Sequence, residues 1–542
     1  MSSPAIRNLS TGARADEAFE RAASFIASLT GWRRAFAGFA AGLVTALAFA
    51  PFYLVPLLAV GFSALIFLLD GALKSPHPRR AAFATGWYFG FGYFLLSVYW
   101  MAFSFFVQAE QFAWMSPFAV LGMPAFLALF SGSAAFVASR FWREGPARVL
   151  FFAVVWMTFE YARGHILTGL PWNLPGQALA GAAMGAQTAA WWGVYGLSLI
   201  VILLAAAPAA FAGRGRAIKG LGACLGGALA LYAIGAARLA LLDPGVYEDV
   251  SVRIIQPNIP QREKIDSDFW ARNFWRQVNL SKGEATGAAA SGELYILWPE
   301  NAVSLIDEYS DALQVLSDEL PKNAVLLTGA VRREAAGPRD IYFNSILAIA
   351  PGPDPSRAVI GHYDKHHLVP FGEYLPMEGF LRAVGLAQLA PYDEGFEMGK
   401  GPSVLRAGAG PAFAPLICYE AIFPGEIYPK DDRPDWIVTV TNDAWFGDTS
   451  GPRQHLDQAK LRSIETGLPM ARSANTGVSV LIDARGRVLD RVALYKEGRI
   501  DAALPKPLPP TLYARIGDVL FLLLSMVAFF AGFTYKYRRE QA

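Results

Sequence analysis

Cysteine is nearly absent: the 542 residues hold only Cys224 and Cys418. Two thiols cannot build the disulfide framework of a small secreted domain. Charge is scarce as well. Asp, Glu, Lys and Arg make up 17% of the chain and leave a formal balance of +2. That is too weak a field to gather nucleic acid, and no basic stripe with interleaved aromatics is present. The first 30 residues carry charges throughout and lack the apolar core of a signal peptide. His362, His366 and His367 cluster without a cysteine and off the spacing of a zinc site, which favours local hydrogen bonding over a metal. No metal or other cofactor is expected.

What the chain does have is apolar length. Hydrophobic residues form 54% of it, more than an ordinary soluble protein carries. Apolar runs near 33–50, 52–70, 82–106, 114–138, 147–163, 186–211, 218–241 and 512–535 approach the ~20 residues of a transmembrane helix. Eight spans are therefore predicted. Arg33 and Arg34 precede the first; Lys74, Arg79 and Arg80 follow the second; Arg140, Arg143 and Arg148 flank the gap after the fourth. Arg214, Arg216 and Lys219 part the sixth from the seventh, and Lys536, Arg538 and Arg539 follow the last. These are alternate ends, so the positive-inside rule puts them and both termini in the cytoplasm. The expected organisation is a cytoplasmic segment over 1–30, seven spans within 31–242, an extracytoplasmic domain over 243–510, an eighth span over 511–535 and a cytoplasmic tail over 536–542. Cys224, inside LGACLGGALALYAIG, reads as a small lipid-buried packing residue. Glu160 and Arg163 stand at helical spacing, placed to pair or to meet a lipid headgroup. The loop GHILTGLPWNLPGQ sets Trp172 and Asn173 at the outer interface.

Segment 243–510 changes character. SVRIIQPNI, LYILWPE, AVLLTGA, NSILAIA, PLICYE, DWIVTVTND and SVLIDARG read as strands, and 266–283, 308–320 and 453–467 as helices. Such alternation implies an α/β layered domain. Glu300, Lys365, Cys418 and Asn442 fall at strand ends, where such folds place reacting groups. A thiol attacks a carbonyl only as a thiolate. Glu300 is the candidate base, because a partly dry pocket raises a carboxylate's proton affinity. Lys365 offers a fixed positive charge for thiolate and oxyanion, and the Tyr419 N–H a second donor. Glu373 is placed to hold Lys365 or to share the proton relay. Each also has a plainer reading: Glu300 as a surface acid, Lys365 as a solvated turn lysine, Cys418 as a small core residue.

WPEN, the lysine of YDKHHLVPFGEYLP, ICYEAIFP and TNDAWFGDTSGPRQHL together resemble the nitrilase (carbon–nitrogen hydrolase) superfamily. VPFGEYLP and NDAWFGD are worded as in its membrane-bound apolipoprotein N-acyltransferase family. The resemblance covers the whole chain. It implies an αββα nitrilase-like periplasmic domain joined to the membrane helices in the bacterial inner membrane. It places a Glu-Lys-Cys triad on Glu300, Lys365 and Cys418, with Glu373, Tyr419 and Glu420 supporting it. It implies acyl transfer through a thioester from a phospholipid, with phosphatidylethanolamine preferred, to the α-amine of the S-diacylglyceryl cysteine of an apolipoprotein. Trp445 and Phe446 are candidates to wall the site or touch lipid, or else to pack the core, and Trp172 is a candidate for substrate docking. Where the family often carries a Lys-Trp pair, this chain has Lys264 and Ile265; Trp270 is the nearest substitute. The alternative is a membrane-tethered amidase with the same triad acting on a small amide.

Overall fold

Leucine, alanine and phenylalanine fill the first half of the chain without polar alternation, and it folds as helices. In this computed structural model the described residues are 11–212, 217–284, 292–336, 339–350, 352, 354, 358–377, 379, 383 and 395–540. Arg214 and Arg216 lie outside them. They form two compact units. One holds the described residues up to Ala102, Trp114–Arg238 and the chain from Asp518 onward; the other holds Phe103–Ala113 and Leu239–Gly517.

The principal helices of the first unit are α1 (Thr11–Ser28), α2 (Gly31–Ala46), α3 (Leu57–Ala72), α4 (Pro78–Val98), α5 (Ser116–Ala138), α6 (Pro146–His165), α7 (Ala189–Phe211) and α8 (Ala217–Leu241). The α1 segment, read from sequence only as charged, is a helix. Each of the eight predicted runs overlaps a helix. Among the described residues, four stretches are long and apolar enough to cross a membrane: Pro78–Phe106, Ala109–Ala138, Ala189–Phe211 and Ala217–Leu241. Leu57–Ala72 and Val519–Thr534 are shorter apolar helices. The α6 helix carries Arg148, Glu160 and Arg163, and these charges are matched inside the unit. Arg148 meets Asp70 at 2.8 Å, and Arg163 pairs with Glu160. Around them Phe62, Phe89, Phe152 and Trp156 interlock edge to face and tilted, geometry that aromatic quadrupoles favour. Trp172 is buried against Trp100, with ring centroids 4.8 Å apart, so it packs rather than presenting a docking surface. Cys224 is half-buried on a helix whose Leu221, Leu225 and Leu229 are exposed.

The second unit alternates strand and helix. Its strands are β1 (Val246–Gln256), β2 (Glu293–Ser304), β3 (Ala324–Ala336), β4 (Arg339–Ile349), β5 (Val359–Asp364), β6 (Phe413–Ile417), β7 (Trp436–Thr441), β8 (Met470–Ala474), β9 (Ser479–Ile482), β10 (Val488–Val492) and β11 (Gly498–Pro505). They make two sheets, ordered β11-β1-β2-β3-β4-β5 and β10-β9-β8-β7-β6. The two-residue period sorts the side chains. Tyr295 and Leu297 of β2 enter the core between the sheets, beside Val438 and Val440 of β7. Leu294, Ile296 and Trp298 face the other way. There they meet α10 (Trp270–Ser281), which follows the short α9 (Gln261–Ile265), and α11 (Ser310–Glu319). On the far face of the second sheet, Ile437 and Leu416 meet α12 (Ser450–Thr466). The result is four layers, helix on sheet on sheet on helix. The last long helix, α13 (Val519–Glu540), belongs to the first unit.

One earlier piece of chain is part of this second unit. Arg262 donates from Nε to the Val107 carbonyl at 2.9 Å and from Nη2 to the Phe106 carbonyl at 3.1 Å. A Cβ added at Gly447 would stand 3.0 Å from the Phe103 ring.

Candidate active site

The middle of β4 and the chain at and just beyond the ends of β5 and β6 converge with the later part of β2. At the end of β2, the pairing with β3 breaks register between Trp298 and Val303, and Glu300 sits in that break, 7% exposed. The break is accommodated by Gly329 on β3, where a Cβ would lie 2.5 Å from the Glu300 Cα and from the Pro299 carbonyl. Lys365 follows β5 and is 1% exposed. Its Nζ lies 2.8 Å from Glu373 Oε1 and 3.5 Å from Glu300 Oε1. Asn344 of β4 completes the set: its Nδ2 donates to Glu300 Oε1 at 2.9 Å and to Glu373 Oε1 at 2.7 Å. The second oxygen of Glu373 accepts the Val369 N–H at 2.7 Å. Burial alone would drive a proton off Lys365, but the charges of Glu373 and Glu300 outweigh it and hold the ammonium above the usual lysine range.

Cys418 begins a 3₁₀ turn, Cys418–Ile422, directly after β6. Its φ of 51° is left-handed, a conformation a residue with a Cβ adopts only when its surroundings enforce it. Burial pushes the thiol well up, the Glu300 charge adds to this, and Lys365 offsets part of it. The Cys418 sulfur is thereby pushed toward its protonated form. Glu420 locks the turn. Its Oε2 accepts the Ile417 N–H at 2.7 Å, and its Oε1 accepts the Tyr363 hydroxyl at 2.7 Å and the His366 N–H at 2.9 Å. Burial would raise the Glu420 carboxyl, yet its bonds and charge contact with His366 hold it low. Burial likewise would lower His366, but its hydrogen bonds to Glu420 and Glu426 carry it up to about 9.

Tyr419 is half-buried and packs edge-on to His367 and Phe423, with centroids 5.6 and 5.0 Å away. Trp445 and Phe446 lie half-buried in the 3₁₀ turn Asp443–Phe446. Trp270 is 51% exposed on α10, and Ile265 is exposed. Asn442 is held by Gln261 and Asn475 through its amide; its side chain does not join the Glu–Lys–Glu set.

Four residues here escaped the sequence reading. Asn344 lies inside a strand-like run and carries no local mark. His455 of α12 spans from Asp443 Oδ1, 2.9 Å from its Nδ1, to the Cys418 carbonyl, 3.0 Å from its Nε2, and Arg472 holds the second Asp443 oxygen at 2.6 Å. Lys264 donates to the Glu300 carbonyl at 2.5 Å. Burial lowers its ammonium to about 8 against the pull of Glu300 and Cys418. The signal available for it was its place beside Ile265, where attention fell on the missing tryptophan. Among the described residues, two groups of three bring His, Cys or acidic atoms within 4.8 Å of one another, His366–His367–Glu426 and Cys418–Asp443–His455. In both, the histidines are already engaged with carboxylates: Glu420 and Glu426 in the first, Asp443 in the second.

Residues 41–207 match the apolipoprotein N-acyltransferase N-terminal domain, and residues 251–508 match the carbon-nitrogen hydrolase family. The chain is 40% identical over 513 residues to an apolipoprotein N-acyltransferase of Rhodopseudomonas palustris, covering 92% of this chain and 94% of the relative. It is 40% identical over 533 residues to one of Brucella melitensis, covering 96% and 99%. To one of Caulobacter vibrioides it is 41% identical over 498 residues, covering 90% and 92%.

Proposed function

The chain belongs to the apolipoprotein N-acyltransferase family, and from that premise we propose that Cys418, Glu300 and Lys365 carry an acyl chain from a phospholipid to an apolipoprotein through a thioester. The enzyme is an acyltransferase of lipoprotein maturation with a lipid donor and a lipoprotein acceptor. The observation that carries the triad reading is the set around Lys365: one buried ammonium against two carboxylates, with Asn344 fixing both.

Glu300 takes the thiol proton as sulfur attacks the ester carbonyl of the phospholipid. Lys365 and the Tyr419 N–H stabilise the tetrahedral oxyanion. Collapse breaks the ester bond, and Glu300 returns its proton to the departing alkoxide, releasing a lysophospholipid. The acceptor's α-amine then attacks the thioester and gives a proton to Glu300. The amide forms, and that proton restores the Cys418 thiol. Glu373 keeps Lys365 charged and aimed, and Glu420 holds the nucleophile turn. Phosphatidylethanolamine is the proposed donor. The eight helical segments span the bacterial inner membrane, with 243–510 on the periplasmic side. The tethered amidase remains the second reading, since the triad chemistry is common to both.

Acyl trapping tests this. Purified protein is incubated with acyl-labelled phosphatidylethanolamine and no acceptor, and intact mass is read before and after hydroxylamine. A labile adduct on wild type, absent in Cys418→Ala and discharged by a diacylated lipopeptide, is expected. Active protein that forms neither adduct nor lysophospholipid would overturn the phospholipid-donor reading in favour of the amidase.

A further inference from the structure

Asp443, His455 and Arg472 form a buried charged network that has no part in the acyl transfer described above. Asp443 is 1% exposed, His455 3% and Arg472 0%. The carboxylate joins the other two. Its Oδ1 lies 2.9 Å from His455 Nδ1 and accepts the Thr441 hydroxyl at 3.1 Å, and its Oδ2 accepts from Arg472 Nη2 at 2.6 Å. Burial would raise the Asp443 carboxyl, yet the charges of His455 and Arg472 hold it low. The other ring nitrogen of His455, Nε2, lies 3.0 Å from the Cys418 carbonyl oxygen. A carbonyl only accepts, so Nε2 carries a proton. Arg472 Nη2 approaches Nδ1 at 3.3 Å, but the shorter contact of Nδ1 is to a carboxylate oxygen, so it carries a proton too. The partners thus assign an imidazolium that donates at both ends. Buried ion pairs are weak sources of stability, and Arg472 Nε and Nη1 have no hydrogen-bond partner among the described residues. What the network does reach is one backbone atom of the nucleophile.

That oxygen belongs to the peptide group joining Cys418 to Tyr419. The group is trans and planar, so its C=O and its N–H point in opposite directions. Holding the oxygen therefore sets the direction of the Tyr419 N–H, the second donor to the oxyanion. The chain does not prefer this arrangement by itself, because Cys418 has a left-handed φ of 51°, which costs a residue with a Cβ. A hydrogen bond to an amide oxygen also polarises the amide and strengthens its N–H as a donor, by about 10–30% per bond. A charged donor does so more than a neutral one. We propose that His455 is a positioning residue for the oxyanion: through the Cys418 carbonyl it aims and polarises the Tyr419 N–H. The proposal rests on the acyl-transfer reading, in which both half-reactions pass through a tetrahedral oxyanion.

A reaction without an oxyanion separates this role from a structural one. Iodoacetamide alkylates the Cys418 sulfur by displacement: the S–C bond forms as the C–I bond breaks, iodide leaves, and the thiol proton goes to base. Full-length enzyme in a Cys224→Ser background is followed in thioester formation from acyl-labelled phosphatidylethanolamine, in discharge to a diacylated lipopeptide, and in alkylation. His455→Leu removes both donors and should slow both half-reactions by about 100-fold. The KM for the lipid and the alkylation rate should stay within about twofold. His455→Gln returns an N–H donor near the place of Nε2 and should recover rates to within about tenfold of wild type. Asp443→Asn keeps the shape but weakens the hold on the ring; it should lose about tenfold in acylation without slowing alkylation, and it carries the test if His455→Leu does not fold. Wild-type acylation in His455→Leu, no recovery in His455→Gln, or alkylation that falls in step with acylation would each overturn the proposal. The last would make the network a brace for the nucleophile turn. A wild type that is alkylated yet forms no thioester is a distinct result, because it removes the acyl-transfer reading itself.

Discussion

Asn344 has no chemistry of its own, yet one amide nitrogen orients both carboxylates around Lys365. Hydrogen bonds to charged groups contribute about 1.5–3 kcal/mol each. Asn344→Ala should therefore slow thioester formation by about 10–100-fold, with little change in KM for the donor; an unchanged single-turnover rate would remove Asn344 from the site. A second residue-scale prediction concerns pH. His366 rises from 6.5 to about 9 on folding because Glu420 and Glu426 outweigh its burial. A raised basic group stabilises the fold fully below its unfolded value and ceases to do so as pH climbs through its folded value. Stability from this contact should thus be whole below pH 6.5 and lost by about pH 9, a difference of at most about 3 kcal/mol. Denaturant midpoints taken across that range should fall in wild type and flatten in His366→Gln. Cys418 and Glu300 could be singled out in the sequence because each closes an apolar run with a reactive group, and Lys365 through the motif YDKHHLVPFGEYLP around it. Asn344 could not: its role exists only once β4 and β5 pair antiparallel and carry it between two distant glutamates.

Elements carry the geometry of Glu300. The β2 strand interrupts its pairing with β3 at Trp298–Val303, and only a glycine at 329 leaves room for the displaced backbone. Gly329→Ala should cost about 1–3 kcal/mol of stability through overpacking. It should cost activity far more, since a displacement near 1 Å at a reacting group can lose about 10²-fold. A folded Gly329→Ala protein, judged by circular dichroism, with wild-type thioester rates would refute this. The strands read from sequence are those rich in Val, Ile and Leu. The ones not read are β5, β8, β10 and β11. VLDRV of β10 is largely exposed and MARSA of β8 lacks apolar alternation, so their pairing is dictated by neighbours rather than by local preference. The predicted helix over 266–283 is a 3₁₀ turn at Ser267–Phe269 followed by Trp270–Ser281, with Asp266 capping the turn. Some charges read as flanking markers are also structural. Arg34 donates to the Leu29 carbonyl at 2.9 Å, and Arg148 neutralises Asp70.

At the scale of the whole molecule, the proposed topology places Lys74 inside the cell and the exposed Ser267 outside. In a background of Cys224→Ser and Cys418→Ser, a membrane-impermeant maleimide applied to cells with opened outer membranes should label Ser267→Cys and spare Lys74→Cys. Equal labelling, or the reverse, would overturn the topology. That the second unit recruits Phe103–Ala113 was invisible in the sequence, where the segment reads as a tail of one apolar run and a short connection. The carbonyls of Phe106 and Val107 end up bound to Arg262, 156 and 155 residues further on. A ribosome adding about 5–20 residues per second needs roughly 8–30 s to bridge that interval. During synthesis, therefore, a strip of Phe103, Phe106 and their neighbours emerges with its final partner not yet made, and the catalytic unit can close only after a wait set by translation itself.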